Sequence, residues 1–203
     1  SATDVDGDNL IFSAVSEDTL NVTAEVIDNQ LMLTPTTNWN GSLEISVSVN
    51  DGELYDTEVF ELNVTYVNDP PSMELDDISG NTLTFTYNED GSLVKDFSAY
   101  INDVDLIYGD SLSLSVVGND SVTVSFEGLE VTFGALPDWN GEETLTFTVA
   151  DVADASTSDD LNIIVAPVND APVLESIGPQ TMAEDDTLMI ALSGSDVEGS
   201  AVM

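Results

Sequence analysis

Apolar residues alternate with Ser, Thr, Asn and Glu along eight short runs of the chain, at 21–27, 44–49, 58–66, 112–117, 121–126, 130–133, 144–149 and 161–166. A side-chain period of two sends successive residues to opposite faces, which is the pattern of a half-buried antiparallel strand. Gly, Asn and Asp separate the runs and supply the turns. No stretch sustains an apolar period of 3.6, so the pattern predicts almost no helix. About seven strands in every 100 or so residues predict an all-β chain of two-layer sandwiches.

The punctuation between the runs is itself periodic. Trp39-Asn40-Gly41 recurs 100 residues on as Trp139-Asn140-Gly141, and VNDPP at 67–71 recurs 101 residues on as VNDAP at 168–172. Asp4-Val5-Asp6 returns as Asp103-Val104-Asp105 and again as Asp196-Val197-Glu198, at offsets of 99 and 93. Glu89-Asp90-Gly91 is matched 95 residues on by Glu184-Asp185-Asp186, and Asn50-Asp51-Gly52 is matched by Ala150-Asp151. Anchors in constant order at one period define a tandem array. The phase predicts three segments. Residues 1–70 form a repeat lacking its first strands, 71–171 a complete repeat, and 172–203 the opening strands of a third. Such a cut suits a segment of a longer polypeptide, the favoured reading. It also suits a protomer whose residues 172–203 complete the 1–70 segment of a neighbouring copy by strand addition, building a filament.

Composition narrows the partners. The chain holds 40 Asp+Glu against one Lys+Arg, a formal charge of −39, yet it is 42% hydrophobic, too apolar for a disordered acidic tail. Without a basic patch it is not built for nucleic acid, and an anionic membrane surface repels it. No apolar run approaches the ~18 residues that a membrane span needs, so membrane insertion of this segment is not expected. The absence of Cys and His excludes a disulfide framework, thiolate metal sites, Cys nucleophiles, His-based triads and His-ligated zinc or iron. Self-repulsion on this scale requires condensed or bound counter-ions.

The order of motifs carries a resemblance. Asp4-Val5-Asp6-Gly7-Asp8-Asn9-Leu10, the stretch 35–41, Val49-Asn50-Asp51-Gly52 and the stretch 64–71 in the first repeat, with 137–141 and 165–172 in the second, resemble the bacterial cadherin-like tandem repeats of large extracellular adhesins. The resemblance covers essentially the whole chain. It implies tandem Ig/cadherin-like seven-stranded Greek-key sandwiches, an extracellular or cell-surface location, and a structural or adhesive role in a stalk, adhesin or fibre. Asp103-Val104-Asp105 departs from the pattern by continuing as LIYGD, and Ala150-Asp151-Val152 lacks the expected glycine. Both departures point to reshaped top loops in the second repeat.

In a seven-stranded sandwich the chain enters at one end and leaves at the other, so loops alternate between ends. The bottom loops of one repeat, its exit linker and the top loops of the next therefore converge, and in the family this resembles, that junction binds calcium. Ca²⁺ takes six to eight oxygen ligands of the kind this chain supplies. For the first junction the candidates are Asn68, Asp69, Asp103, Asp105 and Asp151, with Asn38 and Asn40 as weaker ones. For the second they are Glu89, Asp90, Asp138, Asn140, Asn169, Asp170, Asp196 and Glu198. Asp4, Asp6 and Asp51 are the matching top-loop residues of the first repeat. Pro70, Pro71 and Pro172 fit an extended linker.

Plainer readings stand beside these. Asn50-Asp51-Gly52 alone is a hairpin turn. DVDGD looks like the start of an EF-hand loop but lacks that loop's closing Glu and flanking helices. Trp39 and Trp139 suit core or turn packing better than a sugar platform. Glycan binding by a sandwich face is the second functional class, with a cell-surface or glycan ligand as partner. An enzyme is disfavoured, because the carboxylates recur with the repeat and no nucleophile–base pair stands out. Adjacent repeats or copies of the same protein are the expected partners.

Overall fold

A computed structural model of the chain describes residues 2–5 and 7–198. It divides into two compact units, Ser1–Asn68 and Asp69–Met203. The first unit contains β1 (Ile11–Ser16), β2 (Val22–Ile27), β3 (Gln30–Pro35), β4 (Gly41–Asn50) and β5 (Tyr55–Val64). They form a three-stranded sheet in the order β1-β4-β5 and a two-stranded sheet of β2 and β3, all antiparallel.

The second unit contains β6 (Ser72–Met73), β7 (Thr84–Asn88), β8 (Leu93–Asp96), β9 (Ile101–Asn102), β10 (Ser113–Val117), β11 (Val122–Glu127), β12 (Glu130–Ala135), β13 (Gly141–Ala150), β14 (Ser156–Ala166), β15 (Val173–Leu174) and β16 (Gly194–Ser195). One sheet runs β10-β13-β14-β7 and the other β11-β12-β8. β7 lies parallel to β14, and every other pairing is antiparallel. Two two-residue pairs, β6 with β9 and β15 with β16, complete it. The only helical turns among the described residues are of the 3₁₀ kind, at Phe97–Ala99 and Val104–Tyr108. The all-β sandwich expected from the alternation is what the chain forms.

The alternation acts through β13. Leu145, Phe147 and Val149 face inward and are fully buried, while Thr144, Thr146 and Thr148 face outward. The outward hydroxyls bond to their partners across β14: Thr144 to Asn162 at 2.8 Å, Thr146 to Asp160 at 2.7 Å and Thr148 to Ser158 at 2.7 Å. Apolar burial supplies the stability, and the cross-strand hydroxyl pairs hold the register. Between the sheets, Phe97, Phe133 and Phe147 pack with centroids 4.9 to 6.3 Å apart. The Tyr87 hydroxyl donates to the Gly134 carbonyl at 2.7 Å and ties β7 to β12.

The Trp-Asn-Gly motif has a packing cause. The indole of Trp139 lies 3.0 Å from where a Cβ of Gly141 would stand, and that of Trp39 lies 3.1 Å from the same point of Gly41. Each ring packs against its own unit's core, which accounts for the repeated glycine.

The two units differ in the strands that flank their sheets. Leu161 on β14 and Val131 on β12 are fully buried, whereas Phe60 on β5 and Leu31 on β3, at the equivalent places, are 38% and 37% exposed. In the second unit β7 lies beside β14 and β8 beside β12; no described strand takes those places beside β5 and β3. Within 172–198, β15 and β16 repeat the register of β6 and β9: Ser72 opposite Asn102 and Met73 opposite Ile101 become Val173 opposite Ser195 and Leu174 opposite Gly194. The bond from the Glu74 amide to the Tyr100 carbonyl, 2.9 Å, returns from Glu175 to Ser193 at 2.8 Å.

This difference fixes the expected response to truncation. Leu161→Ala should destabilise the second unit by about 2–5 kcal/mol, the usual cost of a large buried cavity. Phe60→Ala should cost the first unit well under half of that, because its ring is already partly in water. Urea unfolding followed by Trp139 fluorescence in a Trp39→Phe background, and by Trp39 in a Trp139→Phe background, measures each unit separately.

Candidate metal centre

Two acidic clusters lie inside the second unit. In the first, Asp103 follows β9 and caps the turn Val104–Tyr108, its Oδ1 accepting from the Asp105 amide at 2.7 Å. Asp105 is buried and its Oδ2 accepts from the Asp69 amide at 2.7 Å. Asp151 follows β13, and its Oδ1 accepts from the amides of Ala153 at 2.8 Å and Ala155 at 2.9 Å. Asp110 follows Gly109, whose φ of 96° turns the chain back, and its Oδ1 accepts from Ser111 at 2.6 Å and Val152 at 3.3 Å. One carboxylate oxygen from each of Asp103, Asp110 and Asp151 lies within 4.8 Å of the other two. Asp103 and Asp151 are 7% and 5% exposed. The Oδ2 atoms of Asp103 and Asp110 are buried and accept no hydrogen bond in the described structure.

Two carboxylates about 4 Å apart repel by roughly 4 kcal/mol at an effective dielectric near 20. The chain's one basic side chain, Lys95, does not relieve this: its Nζ sits 4.7 Å from the centre of the Phe85 ring.

The second cluster is built the same way. Glu89, buried at the end of β7, accepts from the Val168 amide at 2.6 Å through Oε1 and from the Asn140 side chain at 3.3 Å through Oε2. The Asp170 amide donates to Glu198 Oε1 at 2.6 Å, and the Glu198 amide donates to Asp196 Oδ1 at 3.1 Å. These bonds reproduce, residue for residue, those from Asp69 to Asp105 and from Asp105 to Asp103. The Asp170 Oδ2 is again buried without a hydrogen-bond donor. Loss of solvation, then the charges of Asp90, Glu198, Asp138 and Glu89, push the Asp170 carboxyl above its usual value. The hydrogen bond between the Asp196 and Glu198 side chains is the leading cause that raises the former and lowers the latter. Asp90 and Asp138 stand at left-handed corners, with φ of 61° and 57°. Asn169 turns its amide to the Asp170 carbonyl at 2.7 Å.

In the first unit, Asp4 and Asp51 line one cavity of about 210 Å³ together with Asp56. Asp4 Oδ1 accepts from Gly7 at 2.7 Å and Asp8 at 3.1 Å. Asp51 Oδ1 accepts from Leu54 and Glu53, and these amides hold its carboxyl below the usual value. Asn68 accepts from the Tyr66 hydroxyl at 3.1 Å. Asn38 sits at a left-handed corner, φ 61°, as Asp138 does. Asp6 lies outside the described residues. Asp110 is the residue that motif matching missed. Gly109-Asp110 repeats Gly7-Asp8 after an inserted Leu-Ile-Tyr, and the glycine–aspartate pair was the available signal.

Every donor offered is oxygen, and the oxygens include buried carboxylate atoms with nothing bonded to them. That set fits a hard divalent cation such as Ca²⁺ and not a metal that prefers nitrogen or sulfur.

The fold and its clusters define an array of Ig- and cadherin-like β-sandwich domains. Residues 1–65 match the model of the cadherin-like domain and residues 68–164 that of the bacterial Ig domain, so the chain is a run of cadherin-like tandem repeat domains. Integrin beta-like protein A of Dictyostelium discoideum is 27% identical over 175 residues, covering 76% of this chain and 9% of that protein. Among solved structures, the protocadherin gammaB7 EC3-6 cis-dimer aligns over 84% of this chain and 43% of its own, at 18% identity and a TM-score of 0.50. Human mucin-like protocadherin EC1-2 aligns over 77% and 84%, at 17% identity and a TM-score of 0.49. The likeness to protocadherin gammaB7 is one of fold. Domains of these kinds are typically extracellular, and no helix among the described residues is long and apolar enough to cross a membrane.

The second cluster carries a pH signature. A carboxyl whose folded-state value lies above its unfolded value destabilises the fold when ionised, and that penalty is relieved as pH falls through the raised value. In metal-free protein the Asp170 carboxyl should therefore titrate above 3.8, the ordinary aspartate value, and Glu198 below 4.5, the ordinary glutamate value. Carbon-detected NMR titration of the two side chains reads both. Asp170→Asn should remove the acid-side gain in stability.

Proposed function

We propose that this chain is a calcium-stiffened segment of an extracellular stalk, fibre or adhesin, with Ca²⁺ at the joints between repeats. The observation that carries the reading is the Asp103 carboxylate: its Oδ2 is buried without a hydrogen-bond donor, and one of its oxygens lies within 4.8 Å of carboxylate oxygens of Asp110 and Asp151. An uncompensated buried carboxylate of this kind is costly. Asp69, Asp103, Asp105, Asp110 and Asp151 would hold one ion site, with Asn68 as the linker's other oxygen donor. Glu89, Asp90, Asp138, Asn140, Asn169, Asp170, Asp196 and Glu198 would hold the second. Asp4 and Asp51 would be the top-loop donors of the first repeat.

The cation supplies charge neutralisation, and the chain supplies position. In the second cluster Glu89 and Asn140 come from the bottom of the complete repeat, Asp170 from its exit linker, and Asp196 and Glu198 from the loop beyond. A cation shared by all three would turn a mutually repelling set into a strut and hold the Pro172 linker extended. Extracellular calcium, at about millimolar level, suits modest-affinity sites of this kind. The role is structural or adhesive; domains of these kinds are generally not enzymes. Glycan binding finds less support, since both Trp rings are taken up by core and glycine packing.

Chelation should lower the melting temperature of the chain and increase its flexibility in small-angle scattering; unchanged melting and scattering curves would falsify the reading. Asp103→Asn separates metal from mere folding. In chelator the variant should be more stable than the parent by about 1 kcal/mol or more, because a buried orphan charge is gone. In calcium it should lose much of the parent's gain in melting temperature.

A further inference from the structure

The two main sheets of the second unit end in four strands. Their order puts β7 and β8 at one side of the sandwich and β10 and β11 at the other, each with a described strand on one flank only. An edge of that kind is a template for a further strand unless something blunts it.

The β7–β8 side is blunted. Lys95 on β8 alternates with the exposed Val94 and Asp96 and turns inward, where its ammonium meets the Phe85 ring of β7 at 4.7 Å from the centre. An inward-pointing charge on an edge strand discourages pairing. Glu89 and Asp90 follow β7 directly.

The β10–β11 side has no such device. Residues 111–119 read SLSLSVVGN, without a charge in a chain that holds 40 carboxylates, and β11 is uncharged until Glu127 at its end. β10 contains neither Pro nor a bulge, and its five residues oppose Thr146 to Ala150 of β13 one for one. The outward residues beside it on β13 are Thr146 and Thr148, also neutral. Val117 on β10 is 64% exposed. Phe126 on β11, whose ring meets Phe147 edge-on at 6.3 Å, is 39% exposed, so part of the core shows on this side.

We propose that β10 pairs antiparallel with β10 of a second copy, about a two-fold axis at Ser115, joining two four-stranded sheets into one. The occupant is a second copy because the strand is complementary to itself. About Ser115, Leu114 falls opposite Val116 of the second copy on the core face, and Ser113 falls opposite its Val117 on the outer face. A register slipped by one residue would set core-facing Leu114 against outward Ser115, which the pleat disfavours. Charge points the same way: copies that each carry −39 can approach along a neutral strip and are repelled elsewhere. The contact is isologous and closes on itself as a dimer. Salt screens the remaining repulsion, so association should strengthen as salt is added. The inference goes beyond calcium binding and does not rest on it.

The test uses the whole 203-residue chain, which has no cysteine of its own. With calcium present and at high salt, sedimentation velocity should show the mean mass climbing with concentration from 21.6 kDa toward twice that value. Ser115→Cys places a thiol on the two-fold axis, where opposed Cα atoms stand about 4.5–5.5 Å apart, within disulfide reach. Oxidation should link this variant into a dimer far faster than Thr86→Cys, an equally outward position on the blunted edge strand β7. Ser115→Asp sets two carboxylates face to face without touching the core. It should weaken association about fivefold or more and leave the melting curve unchanged. A monomer at every concentration and salt level overturns the proposal. So does equal cross-linking at Thr86→Cys, and so does association indifferent to Ser115→Asp. An unchanged melting curve on chelation counts against the calcium sites alone and leaves the pairing standing.

Discussion

The chain's carboxylates are held together by its own backbone. Asp69 and Asp170, each in a VND linker, donate a main-chain amide to the second acidic residue of a following loop, Asp105 or Glu198, and that residue donates its amide to the first, Asp103 or Asp196. Amide donors favour ionised carboxylates. The same bonds bring several such groups to one place, and there the remaining oxygens are short of donors. In a chain with one basic side chain, no internal ion pair offers a way out. The carboxylates must wait for a cation, take up protons, or move apart. The calcium reading follows from this unresolved charge more than from any single motif.

The two units show how much of a sandwich's buried core its opening strands can supply. The core of the second unit draws on Leu75, Phe85, Tyr87 and Phe97, all contributed before β10 begins. Remove them and what remains resembles the first unit, where the fully enclosed apolar set reduces to Val22, Leu43 and Ile45. The later strands still pair in the same register. Hydrogen-bonded ladders therefore specify the arrangement, and burial by the early strands closes it. This is the usual division between what aligns a sheet and what drives it shut.

Much of this was legible in the amino-acid order. Alternation located the long strands, since one buried face imposes a period of two that no other element shares. It did not reveal that β7 runs parallel to β14, because periodicity identifies a face and not a neighbour. Nor did it find the 3₁₀ turn over Val104–Tyr108, which rests on an Asp cap and a glycine exit and not on an apolar repeat. Asp110 was hidden for the same reason. Comparison by fixed offset assumes loops of equal length, and the inserted Leu-Ile-Tyr displaced the aspartate while the fold brought it back beside Asp103. Loop order put Asn140 and Glu89 among the candidates for one junction, and the Asn140 side-chain amide donates to Glu89. Asp90 and Asp138 act on Asp170 through charge.

Lys95 has a consequence unrelated to adhesion. It is the only lysine or arginine in the chain, it lies within β8 opposite Val131, and its ammonium rests on the Phe85 ring. Proteases that read a basic side chain in their specificity pocket need that residue on a segment that can leave the fold. This chain presents them with a single address, locked inside a ladder. Long stretches of exposed loop and linker therefore pass unread by trypsin-like enzymes, and the acidity that burdens the joints also makes the chain a poor substrate for a large class of hydrolases.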